Sequence, residues 1–377
     1  MVPRAQEQNI RQWLGKGKAV IVTGPRQVGK TTLVRQITQS LGRKTLWLTG
    51  DDPEARSLLD NISLARLQSI IGQNEIVVVD EAQRFTNAGL MLKLFTDHLP
   101  QVQLFVTGSS SLDLASQTKE SLTGRKFEFS LFPLSFVEMS NHQGYLAERS
   151  LLEHRMLYGF YPEVVQQEPQ QAQKILNDLS DGLMYKDLLT LDQVKKPSLL
   201  VKLLQALALQ IGSEVSYNEV AQLIGADPLT IEKYVDLLEQ SFVLFRLPSL
   251  SRNARNEIKK GRKIYFYDNG IRNSIIKNFS PLTLRADTGA LWENFLLAER
   301  MKRNAYTDYF CNTYFWRTTT QQEIDYVEDA GGRLHAFEFK WQPFKTIRFP
   351  RSFLETYPGS ETASIDRTNF DGFVGIE

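Results

Sequence analysis

The chain has 377 residues, of which 42% are apolar and 23% charged, and its formal net charge is +1. That length suits two or three globular domains, and the even charge balance gives no chain-wide nucleic-acid signature, so any basic face must be local. The single cysteine, Cys311, excludes an internal disulfide and a multi-cysteine zinc site, and four scattered histidines supply no metal-ligand cluster; the polar start and the lack of any apolar run of about 18 residues predict a cytoplasmic protein without a membrane span.

Residues 4–15 read as a short amphipathic helix with Ile10, Trp13 and Leu14 on its apolar side. A buried-strand run, Ala19 to Val22, then breaks at Gly24-Pro25 and resumes as helix at Lys30. The intervening stretch, Gly24-Pro25-Arg26-Gln27-Val28-Gly29-Lys30-Thr31-Thr32, has the Walker A spacing of a phosphate-binding loop. Such a loop must turn backbone N–H groups inward around phosphates, and glycines accept that backbone without a Cβ clash. The following helix aims its N-terminal N–H groups and dipole at the same anion. Lys30 would neutralise phosphate charge, and the Thr31 hydroxyl would ligate Mg²⁺. ATP and Mg²⁺ are therefore the expected ligands. A solvated Gly/Lys turn is the plain alternative, and the ordered strand, loop and helix argue against it.

Further along, Lys44 to Leu48 reads as a strand, Gly50-Asp51-Asp52-Pro53 as a turn, and Glu54 to Ile71 as helical. Strands alternating with helices predict a parallel sheet with helices on both faces. Ile76-Val77-Val78-Val79-Asp80-Glu81 has the Walker B pattern: a buried strand delivering Asp80 to hold Mg²⁺ and Glu81 to polarise the attacking water. Gln101 to Thr107 is a further strand, running into Gly108-Ser109-Ser110-Ser111. Thr107 and Ser109 are candidates to sense the γ-phosphate or the attacking water, against a plain Ser-rich turn. Arg125 is a candidate arginine finger, acting in cis or from a neighbouring subunit, against a solvated loop arginine.

The stretches Gly24–Thr32, Asp80-Glu81-Ala82-Gln83, Thr107–Ser111 and Leu122-Thr123-Gly124-Arg125 resemble a family of prokaryotic AAA-type ATPases with a C-terminal region of unknown function. The resemblance continues through Gly159-Phe160-Tyr161-Pro162-Glu163, Tyr265–Gly270 and Glu323-Ile324-Asp325, so it covers nearly the whole chain. It implies ATP binding and hydrolysis and leaves the task that hydrolysis drives undefined.

The expected organisation is a P-loop ATPase domain over 1–148, a helical lid packing on it over 149–195, a winged-helix domain over 196–285 and an α/β restriction-endonuclease-like domain over 286–377. In the winged helix, Leu199 to Ile211 is a periodic helix and Ser216-x-x-Glu219 is a capping box. Leu229 to Gln240 is the second helix of a helix-turn-helix, and Phe242 to Leu247 with Lys263 to Tyr267 forms the wing. The insert between those strands carries Arg252, Arg255, Lys259 and Lys260, the densest basic run and a candidate grip on duplex DNA. The helix itself is more acidic than basic, with Glu232, Asp236 and Glu239, so partner binding stands beside DNA contact.

In the last domain Glu293 sits on an amphipathic helix, Asp325 on a strand, and Glu338 and Lys340 on the strand returning from a Gly331-Gly332 turn. Alternation can bring the strand-borne groups to one face. This arrangement resembles the restriction-endonuclease-like fold. The resemblance implies Mg²⁺ held by Glu293, Asp325, Glu338 and the Phe339 carbonyl, with Lys340 beside the attacking water. Ile324 stands where that family has proline, and a salt-bridged strand pair is the alternative. Two functions follow: an ATPase coupled to DNA binding or processing, or an ATP-dependent switch that binds protein partners and carries an inert nuclease-like fold. A homo-oligomer fits either.

Overall fold

Apolar β-branched runs become the strands of an all-parallel sheet: β1 (Ala19–Thr23), β2 (Thr45–Thr49), β3 (Ile76–Asp80), β4 (Gln103–Gly108) and β5 (Lys126–Ser130). Their order is β2-β3-β4-β1-β5. The computed structural model describes residues 1–59, 62–108, 124–182, 194, 196–251, 261–343 and 347–376. By its contacts the chain divides into two units, Met1–Leu134 with Gln240–Phe242, and Ser135–Glu239 with Val243–Glu377.

In the first unit the helices α1 (Ala5–Gln12), α2 (Lys30–Leu41), α3 (Pro53–Leu59), α4 (Leu64–Ile71) and α5 (Ala88–His98) connect or flank the strands. The inner strands β1, β3 and β4 are buried on both faces, as the centre of a parallel sheet between helices requires, and Val77, Val79, Leu104, Leu67, Leu92 and Phe95 share one core. From β1 the chain crosses to β2 at the far edge, whereas after β4 it leads to β5 on the other side. The crevice at the carboxyl end of β1 is thus a topological switch point, where α/β sheets bind ligands.

The helical segment expected as a lid belongs by its contacts to the second unit. Its helices Leu152–Tyr158 and Pro169–Gly182 pack on the buried helix Asn269–Ile275, which places them in the second unit. The tie is polar and specific: the Asp268 carboxylate accepts the Phe160 N–H at 2.7 Å, and the Ser274 hydroxyl donates to Asn177 Oδ1 at 2.8 Å. Gly159 has φ +70°, and a Cβ there would stand 2.1 Å from Asp268 Oδ1. The Gly159–Glu163 break and the Tyr265–Gly270 stretch are therefore two halves of one joint.

Helices Pro197–Leu209, Tyr217–Ile224 and Pro228–Gln240 precede an antiparallel ribbon of β6 (Leu244–Pro248) and β7 (Arg262–Phe266). Ser216 caps the second helix, accepting the Glu219 N–H at 3.4 Å. The acidic side chains of the third helix turn to the ribbon: Arg246 lies 2.7 Å from Asp236 and also bonds Glu239, while Arg262 is 4.0 Å from Glu232. Arg252, Arg255, Lys259 and Lys260 lie outside the described residues.

The chain then forms the long helix Thr288–Tyr306 and a second sheet of β8 (Asn312–Arg317), β9 (Glu323–Ala330), β10 (Arg333–Phe339) and β11 (Glu361–Ile365). The order is β11-β10-β9-β8, an antiparallel meander with β11 parallel to β10. Gly331 and Gly332, at φ +61° and +85°, supply the two left-handed residues of the tight β9–β10 turn. Trp316, Ile324, Val327, Ala336 and Phe353 close the core on one face.

Candidate functional site

The loop between β1 and α2 is folded around backbone conformations that few side chains accept. Gly24 has φ +150°, and a Cβ there would lie 2.0 Å from the Leu131 carbonyl oxygen; Gln27 has φ +60° and Gly29 φ +96°. Gly29 stands at the N-cap of α2, and the first turn carries no acidic residue, so the helix N-terminus is electrostatically open to an anion. Lys30 is buried, its ammonium donating to the Gly24 carbonyl at 2.9 Å and the Pro25 carbonyl at 2.6 Å. Gly24, Pro25 and Val28 are buried, Arg26, Gly29 and Thr31 are half-buried, and Gln27 and Thr32 are exposed.

Strand β3 delivers the acidic half of the site. The Thr31 hydroxyl donates to Asp80 Oδ1 at 2.9 Å, and the buried Thr107 hydroxyl at the end of β4 donates to the same oxygen. Thr107 Oγ1 accepts the Glu81 N–H at 3.2 Å, which ties the two acidic positions to the neighbouring strand. Glu81 is left-handed (φ +51°, ψ +48°), a costly conformation for a residue with a Cβ, held here by the tight turn into Ala82–Arg84. Gln83 Nε2 donates to Glu81 Oε2 at 2.6 Å. A hydroxyl and a carboxylate converging beside the phosphate loop form the hard oxygen donor set that Mg²⁺ prefers, so Thr31 and Asp80 fit that ion.

Two other candidate residues fare differently. Ser109 lies outside the described residues. Arg125 stands at the wrong end of the sheet for a finger in cis. Its carbonyl accepts the N–H of Ala19, the first residue of β1, and its guanidinium pairs with Asp97. Five residues of extended strand, about 16 Å, separate that level from the phosphate loop.

The carboxylates of the last domain do come near one another. Lys340 Nζ lies 3.2 Å from Glu338 and 3.9 Å from Asp325, and Asp325 accepts the Phe339 N–H at 2.8 Å. Reasoning from sequence missed the group at the centre, Lys263 on β7. Its buried ammonium lies 3.2 Å from Glu293 and 2.5 Å from Glu323, and the Tyr265 hydroxyl donates to Glu293 as well. The alternation of β7 puts Lys263 and Tyr265 on one face, which is the signal that was available. Among the described residues no three His, Cys, Asp or Glu side chains form a metal-binding group. As they stand, Glu293 is paired with the Lys263 ammonium and one oxygen of Asp325 accepts a backbone N–H, so these carboxylates form an ion-paired cluster around lysine.

Burial, together with the charge of Asp325, raises the Glu293 carboxyl to about 7 against the opposing pull of Lys263. Burial and Asp325 likewise raise Glu338 to about 7, against Lys340. Both values exceed the 4.5 of an exposed glutamate. Between pH 4.5 and 7 the folded state thus holds protons that the unfolded chain has released, and this contribution to stability is lost as pH rises through the window. Each group contributes on the order of 3 kcal/mol to that fall. Glu338→Gln is expected to flatten the decline in melting temperature between pH 5 and 8; a profile parallel to wild type would contradict the assignment.

Three family models match successive parts of the chain. One described as an AAA domain matches residues 16–140, and two described as domains of unknown function, DUF8612 and DUF4143, match 149–282 and 288–369. An uncharacterized protein of Mycobacterium tuberculosis is 26% identical over 335 residues, 88% of this chain and 72% of the relative. One from Methanocaldococcus jannaschii is 22% identical over 330 residues, 82% of this chain and 72% of the relative. A solved structure of a Walker-type ATPase of Pyrococcus abyssi aligns with a TM-score of 0.50 at 17% identity, covering 73% of this chain and 96% of the other. That likeness is one of fold.

Proposed function

We propose that this chain, whose N-terminal part is an AAA domain of the P-loop ATPase family, binds and hydrolyses ATP with Mg²⁺ at the carboxyl end of β1. The observation that carries the proposal is the junction of Thr31, Asp80 and Thr107 beside the phosphate loop. Lys30 leaves the Gly24 and Pro25 carbonyls to meet phosphate, while the loop N–H groups and the α2 N-terminus bind the rest of the anion. Thr31 and Asp80 would hold Mg²⁺, which supplies charge neutralisation at the phosphates when bound. Glu81 orients and polarises the water, and Thr107 keeps Asp80 and Glu81 in register. Nucleotide-binding and hydrolysis assays test this: wild type is expected to turn over ATP only with Mg²⁺, and Lys30→Ala to lose binding at least tenfold. Turnover unchanged in Lys30→Ala would sink the proposal.

The second unit is the load of this engine. The sheet order and the helix–meander–helix–strand sequence support a restriction-endonuclease-like fold for 286–377, and the three helices with a ribbon support a winged helix for 196–285. Lys263, seated among the carboxylates, favours the regulatory-switch reading over DNA cutting. In that reading ATP state sets how the second unit meets a protein partner. Duplex binding through Arg252, Arg255, Lys259 and Lys260 is the competing reading, marked by steep salt dependence.

A further inference from the structure

We infer that Arg4 is a positioning residue of the nucleotide site, clamping the phosphate loop in its anion-binding shape. The inference rests on the nucleotide reading of that loop. A loop that turns its N–H groups toward an anion must turn carbonyl oxygens away from it, and buried carbonyls need donors. Two groups supply donors here. Lys30 serves the Gly24 and Pro25 carbonyls, but the same ammonium is required by the phosphates. Arg4 serves the Val28 carbonyl, at 2.6 Å from Nη1, and its other nitrogen Nη2 reaches the Phe132 carbonyl at 2.7 Å. Val28 directly precedes the left-handed Gly29 that opens α2, so its carbonyl sets the aim of the helix N-terminus.

Arg4 is only 9% exposed and stands just before α1, where its extended backbone and the Glu7 N–H bond to its carbonyl hold it in place. Gln6 adds a bond from the same segment, donating to the Ser130 carbonyl at 3.1 Å. The N-terminal segment thus grips two chain segments at once: the phosphate loop, and the exit of β5, whose Leu131 carbonyl abuts Gly24. A rigid fork with several donors suits this double grip, and a lysine ammonium on a flexible stem does not reproduce it. The guanidinium also carries positive charge under the loop: Nη1 lies 3.9 Å from the place a Cβ on Gly29 would occupy. Unlike Lys30, Arg4 need not move when phosphate arrives. Its part is to keep the loop formed before binding, so that less ordering is left to the nucleotide.

The test uses the full chain with Arg4→Met and Arg4→Lys, beside Lys30→Ala. ATP affinity is read with a fluorescent ATP analogue, kcat and KM by phosphate release, and melting temperature without nucleotide. Arg4→Met is expected to raise the dissociation constant and KM about tenfold or more with a smaller change in kcat, and Arg4→Lys to recover part of the loss. A role in stability alone would lower the melting temperature and leave KM where it was; that result overturns the inference. Should Arg4→Met not fold, Arg4→Lys decides, since wild-type KM in a folded Arg4→Lys chain also overturns it. If wild type binds ATP and Lys30→Ala does not, an unaffected Arg4→Met removes only Arg4 from the site. If wild type itself fails to bind ATP, the nucleotide reading falls, and this inference with it.

Discussion

Glu81→Gln is expected to reduce ATP turnover by about 10²–10⁴-fold while leaving ATP bound, because general-base assistance is lost and the binding groups are untouched. The substitution is nearly isosteric. Gln83 Nε2 can still donate to the remaining side-chain oxygen, and the Glu81 N–H bond to Thr107 does not depend on the side chain. Residue 81 therefore keeps its left-handed backbone and loses only its charge. Phosphate-release assays with a nucleotide-affinity control separate the cases. Normal turnover would show that the water is activated elsewhere; joint loss of binding would show that Glu81 holds the fold of the site. Retained binding with lost turnover would also trap an ATP-bound form, in which any partner of the second unit can be sought.

Lys263→Met is expected to destabilise the second unit by about 3–5 kcal/mol, the range for breaking one side of a buried ion pair. The cost comes less from the lost attraction than from the carboxylates left behind. Lys263 is 2% exposed, and both Glu293 and Glu323 reach its ammonium. Its own pKa is raised, because the neighbouring carboxylates outweigh burial, so it stays charged throughout the physiological range. Adding Glu293→Gln should return part of the loss, and the double variant should be less damaged than the sum of the singles, as coupled neighbours require. Thermal unfolding measures this, with ATP affinity as a check that the first unit is intact. A melting temperature within a degree of wild type would mean that the carboxylates are not built around this lysine. A nuclease-like metal centre would then return as the better account.

The nucleotide site was legible because its chemistry is local. Gly24, Gly29, Lys30 and Thr31 are contiguous, so the order strand, glycine loop, helix already states the geometry, and Asp80 with Glu81 follows one buried strand. The parallel sheet was legible for a related reason: Ile76–Val79 and Leu104–Val106 are apolar without alternation, as strands covered on both faces must be. What stayed hidden depended on contacts between distant segments. Arg4 meets Val28 across 24 positions and Phe132 across 128, and nothing in a lone N-terminal arginine announces either carbonyl. Arg125 follows a plausible motif, yet strand direction places it at the amino end of β1, away from the phosphates. The helices after Ser150 have the amphipathic pattern of a lid, but periodicity tells which face is buried and not what covers it; Asp268 and Gly159 decided that. Glu293, Asp325 and Glu338 have a spacing that admits a metal or an ion pair. Only folding brought Lys263 among them, because charge balance in a buried cluster is settled by whichever cation the tertiary structure delivers.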